Sequence, residues 1–298
     1  MSKKYLPKIL FISLLINVIF GAAILKLNLK NKAPAAVKIA GTVQNTEANK
    51  AIFEEINPSA GYEINAAYGD LGPRMVASGV IDMNKFKPTG YEEILTKGST
   101  QKIKITTENS YFLLNFFWAV GLNNKSKILT AGDMIEYGGE KDLGNFASTG
   151  GWTLGKSDAM NYYSKTALIN LTPQQEELVQ TVAGNIYRPC CNNPTSFPDC
   201  NHGMALLGVL ELMSANGADQ DQMFEAAKYF NAFWFPNNYY DLATYFKNKE
   251  GKNFKDINSR LLLSKDYSSA TGYQTAKQWL IDNGFVKEPP KSGGGCGV

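Results

Sequence analysis

A chain of 298 residues, 44% of them hydrophobic and 12% aromatic, can bury a substantial core, which excludes general disorder. The formal charge of +3 conceals an asymmetry, because residues 1–38 hold seven lysines and no carboxylate, leaving the remainder mildly acidic. That remainder has no basic stripe, which argues against nucleic acid as a partner.

Lys3, Lys4 and Lys8 precede an uncharged apolar run from Ile9 to Leu25, whose 17 residues sit at the short limit for a membrane-spanning helix. Positive charge on its N-terminal side places that end in the cytoplasm and the body outside. Gly21-Ala22-Ala23 also suits signal cleavage, so secretion is the alternative to a single-pass anchor at the cell membrane. No cysteine lies near this segment, which argues against a lipid-modified terminus. Residues 1–27 are thus an anchor or signal, and 28–60 a spacer with some helix around Glu47–Ile56.

The expected architecture is mainly α: a helical body with a small mixed α/β N-terminal portion, preceded by an N-terminal membrane helix. Residues 61–286 form a single globular domain, mixed α/β over 61–160 and helical over 161–286. In the first part, Pro88-Thr89-Gly90 introduces a short helix ending at Gly98, and Gln101–Thr106 alternates like a strand. Tyr111–Leu122 is a dense apolar run expected as a buried helix, with Thr107 or Asn109 as its cap.

Seven glycines between 132 and 155 suggest an ordered loop. Gly150–Ser157 matches the G-x-x-x-x-G-K-S string of a phosphate-binding loop. No apolar strand leads into it, however, so nucleotide binding is not expected.

Thr172-Pro173-Gln174-Gln175 is a capping box with proline at the first helical position, opening a helix to about Tyr187. Asp199 is the expected cap of a helix through Ser214, and Asp219 with Gln222 caps another through Phe235, stopped by Pro236. Shorter helices over Tyr239–Asn248 and Ala270–Asn283 complete the body. Met223, Ala226, Phe230, Phe233 and Trp234 recur at helical spacing as a core stripe.

The chemistry concentrates between Arg188 and Met204, where three of the four cysteines and the one histidine lie in a loop stiffened by Pro189, Pro194 and Pro198. Cys190, Cys191, Cys200 and His202 make a set of thiolate and imidazole donors for a soft ion, zinc or copper, with Met204 as a thioether donor for copper. The spacing is not that of a zinc finger or ribbon, and adjacent cysteines do not easily share one tetrahedral ion. Residues 287–298 form a flexible Gly-rich tail on which Cys296 can deliver a ligand or a resolving thiol.

The leading expectation is a membrane-anchored, extracytoplasmic protein that binds copper or zinc, to hold it, sense it or hand it on, with a metal donor or acceptor protein as a candidate partner. A thiol–disulfide protein cycling Cys190 or Cys191 with Cys200 or Cys296 is the second reading. A disulfide-stapled binding or scaffold module without catalysis is the third.

Overall fold

The computed structural model describes residues 47–287. The membrane segment, most of the expected spacer and the Cys296 tail lie outside that range. Among the described residues, no helix is long and apolar enough to cross a membrane.

Helix α1 (Glu47–Ile56) places Ile52 and Ile56, one turn apart, on its buried face. It packs on α10 (Pro236–Glu250): Phe53 stacks on Tyr240 at 4.6 Å between centroids, and Tyr240 Oη donates to Asn49 Oδ1 at 2.8 Å. The helix expected around Glu47–Ile56 thus forms and packs on the body.

Strands β1 (Tyr62–Gly69) and β2 (Ser99–Ile105) pair antiparallel, with Tyr62 opposite Ile105 and Gly69 opposite Ser99. Ile64, Ala66 and Tyr68 point inward from β1, and Ile103 and Ile105 from β2, the alternation a one-sided sheet requires. Two short helices, α2 (Leu71–Ser78) and α3 (Glu92–Thr96), fill the crossover. The mixed α/β portion is thus a two-stranded sheet in a mainly helical protein.

The centre is a pair of helices apolar on nearly every face, α4 (Ser110–Asn123) and α8 (Asn201–Ala215). Their backbones touch through two glycines. A Cβ at Gly121 would overlap the Met204 carbonyl oxygen, and one at Gly208 would stand 2.7 Å from that of Phe117. Asn109 precedes α4 as expected, but its side chain ties down the approach, accepting from Thr106 N at 2.8 Å and donating to Lys104 O at 2.8 Å.

The stretch rich in glycine is more ordered than a loop. It follows α5 (Lys127–Ala131) and carries α6 (Asp133–Gly138) and a 3-10 turn over Glu140–Asn145. Gly150–Ser157 leads to a three-residue 3-10 turn, Ala159–Asn161, and not to a helix. Four of its amides are already bonded within the protein, Gly150 to Phe146 O, Trp152 to Thr149 O, Lys156 to Gly79 O and Ser157 to Tyr162 Oη, which leaves them unavailable to a phosphate.

Both predicted capping boxes form, at α7 (Pro173–Ala183) and α9 (Gln220–Trp234). α7 stops short of Tyr187, and the returning chain bonds at and just past its end: Ser196 N donates to Ala183 O, and Thr195 N to Ile186 O. Pro236 ends α9 and also opens α10, whose first turn needs no N–H from it. Two one-turn helices, α11 (Ser259–Leu262) and α12 (Lys265–Ser268), lead into α13 (Ala270–Asp282).

Candidate metal centre

The cysteine loop joins α7 to α8 and is fastened at several points. Tyr187 N donates to Leu263 O at 2.8 Å, and Asn231 Nδ2 donates to Tyr187 O at 3.1 Å. The Cys191 carbonyl accepts from Ala270 N at 2.8 Å and Asn192 Oδ1 from Thr271 N at 2.9 Å, satisfying two free amides at the start of α13. Pinned there, with three prolines restricting the rest, the loop has little entropy left to lose when its side chains converge.

Arg188 is the hub. Its side chain has no exposed surface, and its guanidinium donates through Nε to Cys200 Sγ at 3.0 Å and through Nη1 to Asn193 O at 3.1 Å. Nη2 donates to Phe197 O at 3.2 Å and to Asp199 Oδ1 at 2.7 Å. Asn193 Nδ2 donates to the other carboxylate oxygen of Asp199 at 2.8 Å. A buried guanidinium is tolerated only when paired and fully hydrogen-bonded, and here the loop supplies that shell.

This network overturns one expectation. Asp199 is drawn to Arg188 and does not cap α8. Cys200 occupies the cap position, and its Sγ accepts from Gly203 N at 3.4 Å. His202 follows in the first turn, its ring packed against Phe235 at 4.3 Å and Trp234 at 5.9 Å between centroids.

Cys200 Sγ therefore sits among positive partners: the guanidinium, an amide N–H and the N-terminal end of a helix dipole. Its pKa is held well below the usual thiol value, chiefly by donation from Cys190 and Cys191 and then by the Arg188 charge, against the effect of burial. Cys190 is pushed up because it donates to its neighbours and is partly desolvated. Cys191 rises to about 11; its bond with Cys190 acts downward, and donation to Cys200 together with burial outweighs it. Burial works against the Arg188 charge, but the three sulfurs outweigh it, so the arginine stays protonated. Of the three sulfurs, that of Cys200 is the one whose surroundings favour a negative charge, with a fixed cation beside it.

Two donor groups share that sulfur. Cys190, Cys200 and His202 place ligand atoms within 4.8 Å of one another, and so do Cys191, Asp199 and Cys200. The set is therefore a Cys/His/Asp cluster that can hold a metal ion, and it includes Asp199, which composition did not single out. Cys190 Sγ and Cys200 Sγ are 3.5 Å apart, and the three described sulfurs are unbridged. Two thiolates each about 2.3 Å from one tetrahedral ion stand roughly 3.7 Å apart, so this pair needs almost no adjustment. Cys191 Sγ instead faces Asn193 O and Asp199 Oδ1, both at 3.8 Å, on the Arg188 side. The adjacent cysteines are thus split between the two groups, as the strain of a shared ion requires. Met204 lies fully buried among the core side chains of α8, and Cys296 falls outside the described residues.

The sequence reading passed over Arg188, although it is one of only three arginines and directly precedes the Pro-Cys-Cys run. Comparison with family models, curated proteins and solved structures finds no match to this chain.

Proposed function

We propose that this protein binds a soft transition metal ion, copper or zinc, through Cys190, Cys200 and His202, and that it does so outside the cytoplasm, tethered by its N-terminal segment. One observation carries the reading: two sulfurs and an imidazole within 4.8 Å of one another, with the sulfurs 3.5 Å apart. Cys200 is the anchor, since Arg188 and the start of α8 favour the deprotonated form a metal needs. Cys190 is exposed and holds the outer side of the site, where an ion can be handed over.

Three protein donors suit trigonal copper(I). For tetrahedral zinc they leave one position for water, Cys296 or a thiolate from a donor or acceptor protein. The lysine-flanked apolar segment over 9–25 supports the membrane tether.

Elemental analysis of the full chain purified from its native compartment, with a parallel thiol count, tests this. About one copper or zinc per chain is expected, lost in Cys200→Ser and reduced in Cys190→Ser and His202→Ala. Absence of metal in protein whose thiols are free and reduced would overturn the proposal.

The Cys190–Cys200 separation also favours a second reading, reversible disulfide formation. The two thiols would lose two electrons and two protons to an external oxidant such as a partner disulfide, and an external dithiol would return them by the reverse exchange.

A further inference from the structure

A cavity of about 490 Å³ opens between α5, α6, α7 and the side of α8, apart from the sulfurs. Its walls carry Asp133, Glu136, Glu176 and Glu177 against a single lysine, Lys127, which pairs with Glu176. Ile128, Leu171 and Val179 supply an apolar surface between these charges.

Glu211 reaches this cavity from the buried face of α8, in the middle of a run of leucines, valine and methionine. Its side chain has no exposed surface. Asn124 Nδ2 donates to its Oε2 at 2.8 Å, and Asn124 Oδ1 is itself fixed by Ile169 N at 2.8 Å. Oε1 has no partner within 3.5 Å among the described residues, with Ser126 beside the carboxyl as a weak, longer-range donor. A carboxyl oxygen buried without a partner costs free energy that a leucine at 211 would not, so its presence beside a cavity calls for a ligand.

We propose that this cavity binds a small organic cation, an ammonium group on a short apolar body, with Glu211 Oε1 as the acceptor for the ammonium N–H. The four carboxylates around the opening draw in positive charge, and Ile128, Leu171 and Val179 cover the hydrocarbon part. A metal ion fits less well, because no three donors in this cavity come within 4.8 Å of one another; among the described residues only the two cysteine groups do.

Burial pushes the carboxyl up to about 8, outweighing the hydrogen bonds from Ser126 and Asn124, with a smaller push from Glu176, so it is mostly protonated at neutral pH. The charged groups facing it from the packed elements are Lys127 of α5, Asp133 and Glu136 of α6, and Glu176 and Glu177 of α7. When the ammonium docks, Glu211 releases its proton to solvent and the ligand keeps its own. Binding therefore liberates close to one proton per chain near pH 7 and tightens as pH rises toward 8.

Calorimetric titration of the full chain with n-butylammonium chloride, in two buffers of different protonation enthalpy, tests this. The expected result is saturable binding with close to one proton released, and binding of n-butanol at least about tenfold weaker. Glu211→Gln keeps the shape and neutrality of the empty site; it should abolish proton release and weaken butylammonium about tenfold. Glu177→Gln, on the exposed wall, should weaken binding by a smaller factor and leave proton release intact. No saturable binding up to about 10 mM, equal affinity for the alcohol, or unchanged affinity in Glu211→Gln would each overturn the proposal. Tighter binding of calcium than of butylammonium would do the same.

Discussion

Arg188 Nε lies 3.0 Å from Cys200 Sγ, so a guanidinium with no exposed surface is aimed directly at the sulfur common to both donor groups. The same guanidinium holds Asp199 and two loop carbonyls. One residue thereby ties the loop together and, after donation from Cys190 and Cys191, helps to lower the pKa of that sulfur.

Arg188→Met should remove that cation and leave Asp199 half-buried without its ion pair. Breaking a buried pair of this kind typically costs about 3–5 kcal/mol, measurable by denaturant unfolding of the reduced, metal-free protein. Ultraviolet thiolate absorbance against pH should show the first deprotonation moving upward, toward an ordinary thiol. Arg188→Lys should recover part of the charge effect and little of the stability, since a lysine cannot replace the guanidinium fork. An unchanged first deprotonation in Arg188→Met would show that the arginine is a structural tie alone.

The two cysteine groups predict different phenotypes for adjacent residues. Cys190→Ser should lower metal affinity by at least about tenfold, and Cys191→Ser by much less, because Cys191 Sγ faces Asp199 and Asn193 and not the histidine group. Competition with a chromophoric chelator measures both. The reverse order would move the ion to the Cys191, Asp199 and Cys200 group.

Mild oxidation of the metal-free chain should form the Cys190–Cys200 bridge first, since these sulfurs already stand 3.5 Å apart. Peptide mapping by mass spectrometry identifies the linkage. Bound metal should protect against it, because both sulfurs are then occupied.

Gly203 faces the flat of the Arg188 guanidinium, and a Cβ there would stand 2.5 Å from Nη2. Gly203→Ala should destabilise the protein by about 1–3 kcal/mol through overpacking and weaken metal binding by displacing the Nε contact. Thermal unfolding and chelator competition read the two effects separately. Wild-type values for both would mean that the guanidinium shifts without consequence.

Glu211 predicts a pH dependence of stability. Its carboxyl is pushed up to about 8 by burial, while an unfolded glutamic acid titrates near 4.5. Between those values the folded chain keeps a proton that the unfolded chain has given up. Stability therefore falls as pH rises through the window, and the loss is complete above pH 8. At about 1.4 kcal/mol per unit the effect amounts to a few kcal/mol. Glu211→Gln should flatten that decline, so that the variant gains on the wild type from pH 5 to pH 9. Parallel stability curves would place the Glu211 titration where an exposed carboxyl has it.

The legible parts of the sequence are those with local causes. Thr172 with Gln175 and Asp219 with Gln222 mark helix starts through contacts three residues apart, and both form as read. Strand β1 was hidden because its inward side chains include the small Ala66 beside Ile64 and Tyr68, a weak alternation that declares itself only once β2 pairs with it. Helix α2, with Gly72 and Pro73 near its start, carries little helical signal of its own.

The donor types at 190–202 were visible, since soft ligands are rare and were clustered. Their division into two groups was not, because it depends on Asp199 leaving the helix cap for a guanidinium eleven residues back. Glu211 escaped notice for a similar reason. A lone acid in a helix ordinarily turns to solvent, and only the packing of α4, α5 and α7 around α8 shows that this one cannot.

The near-contact of Gly121 with the Met204 carbonyl sets how closely α4 and α8 approach, and α8 begins at the sulfur cluster. Ligand spacing is therefore governed from the interior of the protein as well as from the loop. A side chain added at 121 would wedge the helices apart and tilt the first turn of α8, moving Cys200 and His202 together relative to Cys190. The spacing of the cysteine and histidine groups thus depends on a helix contact in the hydrophobic core, so a change that touches none of them can still shift their geometry.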